Sequence, residues 1–332
     1  MEHHVAEIEP LSIDDASWMK WTDTRLPFPT QRLWLHLLLL LLTLTTTTVM
    51  GARFSQNFDH GLPAFSADRD LFPYMEMLRH PQDLSRGLPF SLTLLAILLS
   101  HELGHFVYAR RYRVQASLPY VLPAPTLSGT AGAVIHLRSR IPHRAALMDI
   151  GIAGPIAGFV VAVPFTFLGL MLSREANIAA GDNLIHFQSP LAMRLLHALA
   201  TGLHPQTPEL NAMLPHPILI ASWIGIFITF LNLIPAGQLD GGHVLYAVAP
   251  RAHRAVTSIV IGLLVLAGVF FWVGWLLWAA ILLLPVMRHP RVAIEPPLPV
   301  ARRWLAVLAV VIFLLCAELT PFVSVRLLDF LR

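Results

Sequence analysis

Charge is the scarcest commodity in this chain. Only 13% of its 332 residues are Asp, Glu, Lys or Arg, against 55% hydrophobic, and the mean hydropathy is +0.63. Soluble domains carry roughly 25% charged residues, so an ordinary soluble class is excluded and a membrane class is favoured. Lysine is nearly missing: Lys20 is the only one, and the net charge of +3 rests on Arg. In so apolar a chain that balance reads as positive-inside loops, with no nucleic-acid partner. Cys316 is the single cysteine, which excludes an intrachain disulfide and a cysteine-based metal cluster. Nor does the chain show an internal repeat of the transporter kind. Its first 32 residues are polar and acid-rich with no apolar run, and read as a tail rather than a cleavable signal peptide.

What is abundant is apolar sequence in lengths that suit a bilayer. About 20 apolar residues of helix cross a hydrocarbon core. Candidate spans lie at 33–51, 88–110, 145–172, 217–233, 255–285 and 304–320. The stretch 255–285 suits one long tilted helix or two short ones turning near 272–275, so six or seven crossings are expected. The threonine run at 43–48 is weakly apolar and suits a face turned to other helices. Gly151, Gly154 and Gly158 with Ala153 and Ala157 form a small-residue face that lets a helix approach closely. Asp149 reads as a helix cap. The interval 173–216 reads as polar with weak apolar patches, and its His186, His197, His204 and His216 lack ligand spacing. Arg110, Arg111 and Arg113, and later Arg288, Arg291, Arg302 and Arg303, mark cytoplasmic boundaries.

The interval 114–144 fits no helix. Pro119, Pro123, Pro125, Gly129 and Gly132 interrupt it, while 120–122 and 133–137 are apolar and strand-like. Irregular backbone enters a bilayer only when buried in protein or lining a wet cavity. Two readings follow, a re-entrant β-hairpin or a cytoplasmic surface loop. The expected class is thus an all-α polytopic membrane protein with a small membrane-associated β-hairpin or re-entrant segment. Residues 1–32 form its tail and 33–332 its membrane domain.

Inside the second span stands His101-Glu102-Leu103-Gly104-His105, an H-E-x-x-H signature. Two His four apart project from one helix face, where both imidazoles reach one Zn²⁺ ion. The Glu between them is placed to take a proton from water held beside the metal. With 16 His and 9 Glu in the chain, composition alone yields ~0.02 such matches. A third ligand is required, and the end of the fourth span supplies a candidate in Asn232-Leu-Ile-Pro-Ala-Gly-Gln-Leu-Asp240-Gly-Gly-His243. Pro235, Gly237, Gly241 and Gly242 let the backbone unwind around Asp240. A carboxylate there either completes a His₂Asp site with one open position, as catalytic zinc requires, or caps the helix that follows.

Together HELGH and NLIPAGQLDGG resemble the two motifs of the site-2 protease family of intramembrane zinc metalloproteases. The GIAGPIAG stretch is similar to that family's glycine-rich central helix, and the likeness covers about 88–243. The resemblance implies one Zn²⁺ per chain on His101, His105 and Asp240, with Glu102 as general acid/base and Asn232 supporting the scissile carbonyl. It also implies that an edge at 129–137, with Gly129, Gly132, Ala133 and Val134, pairs with an unwound substrate. The implied partners are the lipid bilayer and a membrane-anchored protein, such as an anti-sigma factor or similar regulator, cut at its transmembrane helix. The implied address is a bacterial cytoplasmic (inner) membrane, with the site nearer the cytoplasmic face. The chain departs from many bacterial members in having no room for an inserted PDZ domain, and is similar to the compact and plastid-like branches. Two rival readings are a membrane metal transporter, which has no need of a Glu fixed between the two His, and a catalytically silent scaffold of the same fold.

Overall fold

A computed structural model describes residues 32–64, 81–176, 188–290, 292 and 297–321. All of the expected tail except Arg32, together with His186 and Arg291, lies outside the described residues. The first helix, α1 (Leu33–Asp59), runs eight residues past its expected end. A 3₁₀ segment (Pro81–Gly87) leads into α2 (Leu88–Arg111), whose last turn carries Arg110 and Arg111, the sign that suits a helix C-terminus. Helix α2 packs antiparallel on α1: the Thr47 and Ser91 hydroxyls meet at 2.5 Å, and Ser55 donates to the Arg86 carbonyl at 2.7 Å.

After the hairpin comes α3 (Arg144–Leu172), which forms the centre of the bundle between α2 and α5 (Pro217–Asn232). Its N-cap is His143, whose Nδ1 accepts the Ala146 N–H at 3.1 Å. This corrects the expectation that Asp149 is the cap. Helix α3 starts at Arg144, so Asp149 stands inside it. There Arg302 donates through Nε to both carboxylate oxygens at 2.9 and 3.0 Å, and the Tyr112 hydroxyl donates as well. The pairing ties α3 to the first turn of α9 (Val300–Cys316) and to the end of α2.

Two further elements settle what the sequence left open. The apolar stretch 255–285 is two helices, α7 (His253–Phe270) and α8 (Gly274–Leu283), with the turn at 271–273. Trp275 stands just after it, fully buried, its indole N–H donating to the Leu319 carbonyl at 2.8 Å. The interval expected to be polar with weak apolar patches contains a helix, α4 (Leu191–Leu203). It buries Ala192, Met193 and Ala200 and turns Leu191, Leu195, Leu199 and Leu203 outward, a stripe that suits lipid. Among the described residues, four helices are long and apolar enough to cross a membrane: α1, α2 with its 3₁₀ lead-in, α3 and α7. Helices α4, α5 and α8 are apolar but shorter.

The irregular interval is a hairpin packed on α1, not a surface loop. Strand β1 (Tyr120–Pro123) pairs antiparallel with β2 (Thr130–Val134), matching Tyr120 to Val134, Val121 to Ala133, Leu122 to Gly132 and Pro123 to Thr130, with a bulge before the last pair. Side chains of α1 satisfy its carbonyls. His36 Nδ1 donates to Pro119 (3.1 Å), Thr43 to Val121 (3.0 Å) and Thr46 to Gly129 (2.6 Å). The threonine run thus supplies hydrogen bonds that a bilayer withholds from irregular backbone. A second two-stranded sheet, β3 (Arg174–Glu175) with β4 (Met213–Leu214), closes the opposite end of α3.

Candidate metal centre

Two helices deliver three donors to one point. His101 and His105 stand a turn apart on α2, and Asp240 opens α6 (Asp240–Val248). Asp240 Oδ2 lies 3.1 Å from His101 Nε2, and Oδ1 lies 3.3 Å from His105 Nε2. All three donor atoms fall within 4.8 Å of one another. Ligands about 2.05 Å from a shared tetrahedral ion are about 3.3 Å apart; Asp240 sets one oxygen at about that distance from each imidazole, close enough for the three side chains to share one ion. His105 Nδ1–H donates to the Ile150 carbonyl at 2.7 Å, which leaves Nε2 with its lone pair free for a metal. The donor set, its spacing and that fixed tautomer fit a zinc ion.

The small-residue face of α3 does more than let helices approach. A Cβ at Gly154 would lie 2.1 Å from His105 Nε2, and one at Gly158 would lie 3.2 Å from His101 Nδ1. The two glycines, four apart, face the two histidines, four apart, on the antiparallel helix. Sequence reasoning assigned them only to helix packing, although the matched spacing was the available signal. Gly104 completes the contact, where a Cβ would meet the Ala153 carbonyl at 2.4 Å.

Glu102 is buried beside the three donors, 7% exposed, with the Ile135 N–H facing its carboxyl. Asn232, the last residue of α5, brings its amide nitrogen to 3.2 Å from His101 Nε2. Asp240 is not an N-cap. That position belongs to Leu239, with no side-chain cap bond, and the carboxylate points instead to the histidines. The backbone before it is tight: Gly237 has φ +58, and a Cβ at Gly241 would lie 2.1 Å from the Leu233 carbonyl oxygen.

The hairpin reaches the same site, and its register decides which residues have free backbone. The Val121 carbonyl points to Thr43 on α1, away from β2. Residues directly opposite in an antiparallel ladder share that sense, so the N–H and C=O of Ala133 point away from β1, as does the Ile135 N–H that meets Glu102. Gly132 and Val134 turn their polar groups toward β1 by the same alternation. Gly129 does not belong to an edge. Its N–H donates to Thr126 at 2.9 Å, and its carbonyl accepts from Thr46 and from Ala124. Of the four residues expected to pair with a substrate, Ala133 alone lies on the outward side.

The scattered histidines stand elsewhere. His197 meets the Pro208 carbonyl at 2.8 Å, and His216 caps α5 by accepting the Ile218 N–H.

The profile of peptidase family M50 matches residues 89–275, an interval that holds every residue of this centre. The chain is similar to the probable zinc metalloprotease EGY1, chloroplastic, of Arabidopsis thaliana, at 36% identity over 208 residues, 59% of this chain and 36% of that protein. Its counterpart in Oryza sativa subsp. japonica is 36% identical over 164 residues, 48% of this chain and 28% of that protein. The probable zinc metalloprotease EGY2, chloroplastic, of Arabidopsis thaliana is 29% identical over 224 residues, 65% of this chain and 38% of that protein. The chain spans about a third of the length of these relatives.

Proposed function

The chain belongs to peptidase family M50, and from that premise we propose that it is an intramembrane zinc metalloprotease. Its reaction is hydrolysis of a peptide bond in or near a transmembrane segment of a membrane-anchored protein. The observation that carries this reading is the convergence of donor atoms of His101, His105 and Asp240 within 4.8 Å of one another, with Glu102 buried beside them. One zinc ion on those three ligands supplies Lewis acidity, which polarises a carbonyl and lowers the pKa of water toward ~7.

The chain's own residues do the rest. The Glu102 carboxylate takes a proton from the attacking water and delivers it to the amide nitrogen as the C–N bond breaks. The Asn232 amide, at the rim of the same volume, donates to the oxygen that gains charge. Peptide bonds within a helix are shielded by their own hydrogen bonds, so a substrate unwinds before attack. The outward N–H and C=O of Ala133 offer an extended segment a strand to pair with, next to Glu102.

For location, the Arg residues at the end of α2 support a site near the cytoplasmic face. His105 is six residues from Arg111, about 9 Å along a helix. That bias orients the chain, and the address we propose for it is a bacterial cytoplasmic membrane. The named relatives are chloroplastic, so a plastid membrane is the competing address. Membrane-anchored regulators are the proposed substrates.

Glu102→Gln and Asp240→Ala test the reading together. The first retains zinc and loses at least ~100-fold in cleavage, the order that general acid–base catalysis contributes. The second loses zinc as well. Membrane fragments that accumulate with the Glu102→Gln protein, identified by mass spectrometry, name the substrate. Undiminished proteolysis by that protein refutes the mechanism.

A further inference from the structure

Asp240 opens α6, after a loop whose first two residues, Leu233 and Ile234, still bond back to α5. Helix α5 ends at Asn232, and the seven residues before Asp240 form turns. Helix α3 packs against α6, where a Cβ at Gly151 would lie 3.0 Å from His243 Cβ, and further parts of the chain hold the loop before Asp240. Downstream of α8, the 3₁₀ turn Pro285–Met287 and the residues to 290 form a strap that lies against this loop. Gln238 Nε2 donates to the Val286 carbonyl at 2.5 Å and to the Arg288 carbonyl at 2.9 Å. A Cβ at Gly237 would lie 2.9 Å from the Met287 carbonyl, so the two backbones are in contact. From α7, His253 Nε2 donates to the Gly237 carbonyl at 3.1 Å, and the Gly237 N–H donates to Thr257 at 3.3 Å.

One further bond reaches α6 itself. His243 stands three residues after Asp240, one turn on and on the same side of that helix. Its Nδ1 lies 2.9 Å from His289 Nε2, and His289 Nδ1 lies 2.7 Å from the Pro290 carbonyl. The proton positions follow from the far end. A carbonyl only accepts, so His289 Nδ1 carries a hydrogen; its Nε2 is then the acceptor, and His243 Nδ1 is the donor. The His289 ring is held flat against Tyr246 (centroids 4.2 Å apart, 9° between planes) and edge-on to His253 at 4.9 Å. Burial, with His243 and then His253 acting in the same direction, brings the His289 pKa down to about 3, so the ring is neutral near pH 7.

We propose that the strap 285–290 positions Asp240, and that His289 is a positioning residue acting through a fixed-tautomer hydrogen bond to His243. The inference rests on Asp240 being a metal ligand. Helix α6 is short and begins at the ligand, so its rotation about its own axis aims the carboxylate. His289 fixes that rotation from the second turn side, while Gln238 fixes the loop before it.

The test uses the full chain in detergent, with His289→Ala, His289→Gln and Gln238→Ala beside wild type. Two readouts are needed: the rate at which zinc is lost to EDTA, and the visible absorption of the Co²⁺-substituted protein, which reports ligand geometry independently of cleavage. His289→Ala is expected to lose zinc 10- to 100-fold faster, the range seen when outer partners of metal ligands are removed, with a shifted Co²⁺ spectrum. His289→Gln is expected to restore both toward wild type, because its Oε1 stands where Nε2 accepted. Gln238→Ala carries the same expectation as His289→Ala, and decides the matter where the latter does not fold. Wild-type zinc retention in the Ala variants, or a Gln variant as impaired as Ala, overturns the inference alone. A wild-type chain that takes up no zinc overturns the metal reading, and this inference with it.

Discussion

Replacing Gly154 by alanine should leave a folded protein that has lost its metal. On helix propensity alone the change stabilises α3 by about 1 kcal/mol. The added Cβ, however, lies 2.1 Å from His105 Nε2 and 2.5 Å from both Cδ2 and Cε1. An unstrained contact needs about 3.5 Å, so the ring must retreat by roughly 1.4 Å. Metal–nitrogen bonds tolerate about 0.2 Å, seven times less. The helices have little freedom to part, since a Cβ at Gly104 would already meet the Ala153 carbonyl at 2.4 Å. Loss of one ligand of three should exceed the 10- to 100-fold cost of losing an outer partner. Zinc content by mass spectrometry, together with thermal melting in detergent, reads both halves of the expectation. A graded series sharpens it. Gly158→Ala, at 3.2 Å from His101 Nδ1, should weaken zinc binding less, and Gly202→Ala in α4, with nothing within 4 Å, should keep full zinc and the same or a higher Tm. Full zinc occupancy in Gly154→Ala would show that the pocket geometry described above is wrong.

Thr46→Val removes the 2.6 Å hydrogen bond to the Gly129 carbonyl and should cost about 1 kcal/mol; hydrogen exchange should quicken across 120–134 and stay unchanged in α9. His143 should make part of the stability pH-dependent. Its Nδ1 accepts the Ala146 N–H only when unprotonated, and burial first, then the Arg302 charge, depress its pKa against the opposing pull of Asp149. A depressed folded pKa means the unfolded chain binds more protons in mild acid. The cap's contribution, about 1 kcal/mol, is therefore complete above ~6.5 and falls away as pH drops through the lower folded value. Thermal melts at pH 5 and 7 should differ less in His143→Asn, which caps without titrating, than in wild type.

Where the sequence was informative, the cause was local. Helices α2 and α3 begin and end within a residue of expectation, because apolar length, bounding Arg residues and flanking prolines are all short-range signals. HELGH was legible for the same reason: the spacing that brings its two histidines to one face is the period of one helix. Long-range partners were not legible. Asp149 looked like a cap because nothing near it in sequence explained a carboxylate, and its partner Arg302 is 153 positions away. Helix α4 was not legible because its leucines recur at intervals of four within a stretch diluted by His and Arg, and its buried face holds only two alanines and Met193. The threonine run was assigned to helix contacts, and indeed Thr47 meets Ser91, but its larger role is to bind carbonyls of a hairpin more than 70 residues later.

That hairpin and the chemistry beside it share one physical requirement. Backbone N–H and C=O groups left without partners in hydrocarbon cost several kcal/mol each. On its α1-facing side the hairpin meets the requirement through His36, Thr43 and Thr46. The outward polar groups of Ala133 must then find either water or a second strand. Hydrolysis sets the same condition, because water has to stand within reach of Glu102. A cavity wet enough to solvate the edge in the absence of substrate is thus also wet enough to supply the nucleophile. An extended substrate segment that displaces water from the edge exchanges one set of hydrogen bonds for another, and needs no apolar pocket of its own to do so. Selection by such an edge depends on whether a helix can unwind more than on which side chains it carries. The proposed substrates should accordingly be set apart by helix-weakening residues near the cut rather than by a recognition sequence.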